Sequence, residues 1–250
     1  MIEVRNISKS FGTKEVLSDV SLIAEQGKST LIIGSTGSGK TVLMKCIVGL
    51  LPIKSGNIFY DDKNFSMMKA KEQKIIRREM GMLFQGAALF DSLTVEENVA
   101  FPLSIFTDMT EEEKSERINF CLKHVNLENV NHLYPSALSG GMKKRVGIAR
   151  VIVMSPKYLF CDEPNSGLDP ITSERIDNLI KDITQEFNIT TIVNTHDMNS
   201  VMSIGDKVAF IYEGKKLWEG SKHDILTASN KEVKEFIDTA KVLKEFQKSK

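Results

Sequence analysis

Apolar and polar positions along the chain follow two periods, and their order predicts the architecture. Residues 2–8 and 16–23 are rich in β-branched side chains around the turn "FGTKE" and predict two strands. "STLIIG" (29–34) is a short unbroken apolar run, the pattern of a strand covered on both faces. It leads into a glycine-rich turn, after which Val42, Leu43, Cys46, Ile47 and Leu50 recur at helical spacing as far as Pro52. Residues 57–60 and 81–85 are further predicted strands. The stretch from about 90 to 155 reads as mostly helical, and "TEEEKSERINFCLKHVNL" within it opens on a capping box of Thr110 and Glu113. Beyond it "KYLFCD", "ITTIVN" and "DKVAFIY" alternate with helical patterns at 170–187 and 197–204, which predicts a largely parallel α/β sheet interrupted by the helical block. There is no internal repeat and no low-complexity linker.

Composition narrows this picture. A chain of 250 residues with 41% hydrophobic content buries a core and fits one compact unit with lobes. Thirty-three basic residues against 33 acidic ones leave no net charge, which weighs against bulk nucleic-acid binding. Cys46, Cys121 and Cys161 lie far apart in apolar runs, without zinc spacing or an even count, and read as reduced buried thiols. The N-terminus carries Glu3 and Arg5 and no apolar core of a signal peptide, and no apolar run approaches the ~18 residues of a membrane span. Work on a membrane would therefore pass through a partner.

Four stretches carry chemistry. "GSTGSGKT" comprises Gly34, Ser35, Thr36, Gly37, Ser38, Gly39, Lys40 and Thr41, and fits the phosphate-loop pattern between a strand and a helix. Its backbone N–H groups would face phosphates, Lys40 would supply a point charge, and the Thr41 hydroxyl would ligate Mg²⁺. "YLFCDE" places Asp162 and Glu163 at a buried strand's exit, the one suited to the metal and the other to polarising a water. His196 in "NTHDM" follows another apolar strand; it either donates to a γ-phosphate or caps the next helix. "SALSGGMKKRVGIAR" opens a basic amphipathic helix with two glycines, so its first N–H groups point at an anion the stretch itself does not hold. Gln85 is a candidate for the Mg²⁺, the water or a neighbouring protein, and Phe11 for stacking on an adenine ring or for simple packing.

The order phosphate loop, Gln85, "LSGGM", "YLFCDE", "SGLD" and late histidine resembles the nucleotide-binding subunit of ATP-binding-cassette (ABC) transporters over nearly the whole chain. The resemblance implies an ATPase that uses ATP and Mg²⁺. Its fold would be an α/β phosphate-loop core with a mostly parallel sheet, an N-terminal antiparallel β subdomain and an inserted α-helical subdomain. It implies a core of residues 1–89 and 156–225, a helical subdomain of 90–155 and a C-terminal helical extension of 226–250. It also implies a head-to-tail homodimer in which Ser139, Gly140 and Gly141 of one chain contact the γ-phosphate held by Lys40 of the other, with Asp169 beside them at the interface. Thr41, Gln85 and Asp162 are then the metal group, Glu163 the base, His196 the γ-phosphate switch, and Gln85 the coupling residue. Met142 departs from the usual glutamine and Asn165 from the usual threonine.

"LSGGMKKRVGIARVI", "FQGAALFDSLTVEENVAFPL" and "DEPNSGLDPIT" look like the ATPase subunit of Mla-type phospholipid transporters, which implies a membrane permease, an MCE-type lipid-binding protein and the cytoplasmic face of the inner membrane. In that reading the apolar positions Leu89, Phe90, Leu93, Val95 and Val99 receive a permease helix, or else fill the helical block's own core. Val233, Phe236, Ile237, Ala240, Leu243 and Phe246 form one helical stripe that packs on its own domain or meets a partner such as a small regulatory protein. Two alternatives stay open: an ABC ATPase for another cargo such as an amino acid, and a soluble ABC protein outside transport.

Overall fold

The computed structural model describes residues 1–248, with side chains through residue 239. Strands β1 (Ile2–Phe11) and β2 (Lys14–Ala24) form an antiparallel hairpin. Both run further into "FGTKE" than the sequence pattern predicts, because Phe11 pairs with Lys14 across Gly12, whose φ of +57° suits a tight turn. Strand β4 (Ser55–Tyr60) pairs on the other edge of β1 and carries the short β5 (Lys63–Asn64), giving the order β2-β1-β4-β5.

The second sheet contains β3 (Ser29–Ile33), β6 (Met80–Leu83), β7 (Tyr158–Asp162), β8 (Thr190–Asn194), β9 (Lys207–Tyr212) and β10 (Lys215–Gly220), in the order β10-β9-β3-β8-β7-β6. Only β10 is antiparallel to its neighbour. Its sequence, "KKLWEG", is too polar to show a strand pattern. The strand expected over 81–85 ends at Leu83, which pairs with Cys161; beyond that rung Phe84 and Gln85 turn outward and are exposed. Helix α1 (Lys40–Ile47) stops short of Pro52 at a turn through Gly49. Helix α2 (Ala70–Arg78) escapes the apolar period, since of its two isoleucines only Ile76 is buried.

Helices α3 (Val95–Phe106), α4 (Glu111–His124) and α5 (Gly140–Ile152) pack on one another. The capping box at α4 forms as expected: Thr110 Oγ1 accepts from the Glu113 N–H while Glu113 accepts from the Thr110 N–H at 2.8 Å. Helices α6 (Pro170–Glu186) and α7 (Met198–Ile204) separate the later strands, and α8 (Lys231–Lys248) ends the described chain.

The second sheet is buried on both faces, and strand alternation divides it between two cores. Leu31, Ile33, Leu159, Cys161, Val193, Val208 and Phe210 face α3–α6. Ile32, Tyr158, Phe160, Ile192 and Ile211 face α1 and the N-terminal sheet. Each such side chain, withdrawn wholly from water, contributes about 1.5–3 kcal/mol. Val233 and Ile237 of α8 join the first core, and the Phe236 ring meets Phe210 edge-on, the centroids being 5.4 Å apart. Ala240, Leu243 and Phe246 of the same stripe lie outside the described side chains. All three cysteines are buried free thiols, and burial pushes those of Cys46 and Cys121 up to about 11. Among the described residues no helix is long and apolar enough to cross a membrane.

Candidate functional site

Because β3, β6, β7 and β8 are parallel, their carboxyl ends share one edge of the sheet, where open α/β sheets bind ligands. The loop Gly34–Gly39 leaves β3 at this edge. Its curl requires glycine at two points: a Cβ on Gly34 (φ +145°) would lie 2.1 Å from the Ile211 carbonyl oxygen, and Gly39 (φ +108°) is the left-handed N-cap of α1. Lys40 folds back over the loop and donates to the Gly34 carbonyl at 2.7 Å and the Ser35 carbonyl at 3.1 Å. Burial lowers its pKa, and the charges of Glu163 and Asp162 oppose that shift. Ser38 Oγ is buried with no hydrogen-bond partner among the described residues, which fits a loop built to meet phosphate oxygens.

The fit to Mg²⁺ lies beside it. Thr41 Oγ1 donates to Asp162 Oδ1 at 3.2 Å, so a hydroxyl and a carboxylate present hard oxygens to one point. One hydroxyl and one carboxylate are the donor set that suits Mg²⁺ when phosphates and waters complete its shell. Asn194 at the end of β8 orients this pair by donating to Asp162 Oδ1 at 3.0 Å. The strand-end asparagine in "ITTIVN" was the only sequence signal for it.

Glu163 follows with its backbone in the left-handed region, φ +49°, held by its N–H on the Asn194 carbonyl at 3.0 Å. Its Oε2 lies 2.8 Å from Nδ1 of His196. His196 is no helix cap: Asp197 caps α7 by accepting from the Asn199 N–H at 2.8 Å. The Gln85 amide donates to Ser166 Oγ at 3.0 Å. The carbonyls of Gln85, Ala87 and Ala88 are held by Lys144 and Arg150 of α5. Ala87 and Ala88 are both left-handed, φ +60° and +48°, at a cost of about 1–2 kcal/mol each. Phe11 ends β1 with 48% of its surface exposed and Lys9 Nζ 4.9 Å from its ring centroid, leaving ring area open for stacking.

Ser139, Gly140 and Gly141 stand apart from this cluster. Ser139 caps α5 by accepting from the Met142 N–H at 3.2 Å, and Ser139 and Gly141 line a cleft with Arg145, Thr172 and Arg175 to which the phosphate loop contributes nothing. Asp169 caps α6 by accepting from the Thr172 N–H at 3.0 Å, and that bond holds its carboxyl below the usual range.

The unusual Asn165 has a clear partner. Its amide donates to Asp177 Oδ1 at 2.7 Å and to Ser200 Oγ at 3.1 Å, tying the loop after β7 to α6 and α7. Asp177 is 2% exposed, and burial pushes its carboxyl up to about 6 despite the bonds from Ser200 and Asn165. With a folded value near 6 and an ordinary one of 3.8, its contribution to stability is greatest below pH 4 and is lost as pH rises through 6. Asp177→Asn is therefore expected to stabilise the protein relative to wild type at pH 7–8 by up to about 3 kcal/mol, the gain vanishing toward pH 4, in denaturant titrations across that range.

The comparisons agree on one family. A family model described as ABC transporter matches residues 17–166. A methionine import ATP-binding protein of Campylobacter jejuni is 36% identical over 98% of this chain and 78% of its own length. A Mycobacterium leprae protein named "probable ribonucleotide transport ATP-binding protein" is 34% identical over 96% of this chain and 70% of its own. Among solved structures, a dimeric ATP-binding cassette in a post-hydrolysis state with ADP and Pi superposes with a TM-score of 0.80 and 31% identity, over 89% of this chain and 99% of that one.

Proposed function

The chain belongs to the ABC transporter ATP-binding family, and from that premise we propose how its residues divide the work and what its hydrolysis drives. It is an ATPase that binds ATP with Mg²⁺ and powers a transporter. The observation that carries the assignment of roles is the convergence on one sheet edge of the phosphate loop, the Thr41–Asp162 pair and the Glu163–His196 pair. In this reading the loop N–H groups and Lys40 hold the phosphates, Thr41 and Asp162 hold Mg²⁺, which neutralises phosphate charge, and Glu163 takes a proton from the attacking water. His196 orients the Glu163 carboxylate, and Phe11 stacks on the base. Ser139, Gly140, Gly141 and Asp169 complete the site of a second copy, a reading supported by the dimeric state of the ADP-bound cassette. Residues 90–155 then act as a helical lobe on the core of 1–89 and 156–225, with 226–250 as an extension.

A permease docks, we suggest, on the apolar face of that lobe. Phe90, Phe101, Ile105 and Phe106 are exposed there, with the Phe90 and Phe101 rings 4.7 Å apart. Of the side chains expected to form the surface, Val95 and Val99 are fully buried and belong to the core, while Phe90 is 42% exposed. Asn98 fixes the turn that presents Phe90: its side chain accepts from the Phe90 N–H and donates to the carbonyls of Phe90, Leu93 and Thr94.

For cargo, the methionine-import relatives favour an amino-acid importer over the phospholipid reading, and the comparisons lend no support to an MCE-type partner. The phospholipid reading keeps the support of Met142 after "SGG" and of "GAALFDSLTV". The two separate when the tagged chain is purified with its native permease and placed in vesicles: ATP-dependent methionine uptake without labelled-phospholipid movement is expected, and the converse result reverses the order. Phe90→Glu is expected to cut permease recovery at least about tenfold, since a desolvated interface does not accept an unpaired charge. Undiminished recovery would place the docking face elsewhere.

A further inference from the structure

Helix α5 grips the segment after β6 by its backbone. Lys144 donates to the Gln85 carbonyl, and Arg150 donates through Nη1 to Ala88 at 2.8 Å and through Nη2 to Ala87 at 2.6 Å. Between the two cations stands Gly147, where a Cβ would lie 3.0 Å from Leu83 Cδ1 and 3.1 Å from the Ala87 Cβ, so the helix backbone rides directly on the segment. Lys144 is 5% exposed, and neither cation forms an ion pair with a carboxylate among the described residues. Their charges are met by carbonyl dipoles, and burial lowers the pKa of both.

Burying an ammonium and a guanidinium is unfavourable unless their hydrogen bonds are made, and apolar residues would fill the same space more cheaply. What the pair secures is a backbone that would not hold its shape unaided: Ala87 and Ala88 are consecutive left-handed residues without glycine's freedom. The same segment carries Gln85, whose amide reaches Ser166 Oγ in the loop between Glu163 and Asp169. Gln85 is thus fixed to α5 through its carbonyl and to the catalytic edge through its side chain.

We infer that Lys144 and Arg150 are positioning residues for ATP hydrolysis, clamping Gln85–Ala88 to α5 so that Gln85 and the helix bearing Ser139 move as one body. The inference rests on the coupling role that the family resemblance gives Gln85. An α5 displaced at its Ser139 end carries Gln85 and the adjoining Phe90 turn with it, without any change in the phosphate loop.

The test uses the full-length chain and MgATP. Lys144→Met keeps side-chain length and removes the donor; Arg150→Lys keeps charge but makes one of the two bonds. Lys144→Met is expected to lower kcat about tenfold with KM for ATP within about twofold, and Arg150→Lys to lower it less. Amide hydrogen exchange should accelerate in residues 85–90 in both variants while α1 stays protected. In the Gln85→Ala background Lys144→Met should add nothing, because a residue acting only through Gln85 has no further effect once Gln85 is gone. Unchanged exchange at 85–90 in both variants, or kcat losses that multiply in the double variant, would overturn the clamp. Should Lys144→Met not fold, Arg150→Lys and its exchange decide the matter. If Gln85→Ala alone leaves kcat untouched, the role given to Gln85 fails, and the exchange data alone judge the clamp.

Discussion

Glu163→Gln is expected to slow ATP turnover by about 10²–10⁴-fold, the range for loss of a positioned base, while MgATP still binds. The substitution keeps the size of the side chain and leaves an amide oxygen 2.8 Å from His196 Nδ1, but removes the basic oxygen. The phosphate loop, the Lys40 bonds and the Thr41–Asp162 pair are untouched, so binding and hydrolysis should separate. In the proposed dimer the closed, ATP-loaded state should then accumulate, visible as a dimer peak in size exclusion with MgATP and as a single-turnover rate limited by chemistry. The left-handed backbone at Glu163, held by Asn194, makes placement as important as basicity. Glu163→Asp, which retracts the carboxylate by one methylene, should therefore also be slow. Turnover of Glu163→Gln within a few-fold of wild type would remove the base role and leave Glu163 as an orienting group for His196.

The parts legible in the sequence are those in which a local pattern determines a local structure. The strand, glycine loop and helix around Lys40 are legible because a fully buried strand needs an apolar run and a tight left-handed turn needs glycine. The capping box of α4 is legible for the same reason. What escapes depends on contacts made across the chain. Asn194 acts on Asp162 32 residues away, Asn165 acts on Asp177 and Ser200 from separate elements, and Lys144 is indistinguishable in sequence from the adjacent Lys143. Only one of those two lysines is buried against Gln85, and periodicity in a helix whose apolar face meets several elements does not say which. Edge strand β10 and helix α2 lack a pattern because each buries little of itself. The proposed docking face is a related case: five apolar residues look alike from 89 to 99, and the fold assigns Val95 and Val99 to the core and Phe90 to the surface.

The separation of the α5 N-terminus from the phosphate loop leads to the second large effect, a difference between placing two lesions on opposite chains and placing them on one. The first N–H groups of α5 lack intrahelical partners and sit at the positive end of the helix, and Ser139 opens into a cleft with Thr172 and Arg175 rather than toward Lys40. If each nucleotide lies between Lys40 of one chain and Ser139 of the other, a dimer of a Ser139→Arg chain with a Lys40→Ala chain puts both lesions in the same site and leaves the other intact. A chain carrying both substitutions, paired with an otherwise wild-type chain, puts one lesion in each site. In a Glu163→Gln background that traps MgATP, the first heterodimer should retain one nucleotide per dimer and the second essentially none. A site built within one chain gives the reverse result, since the doubly substituted chain would then contain all the damage and its partner would bind normally. Equal trapping by both heterodimers would reject the head-to-tail arrangement.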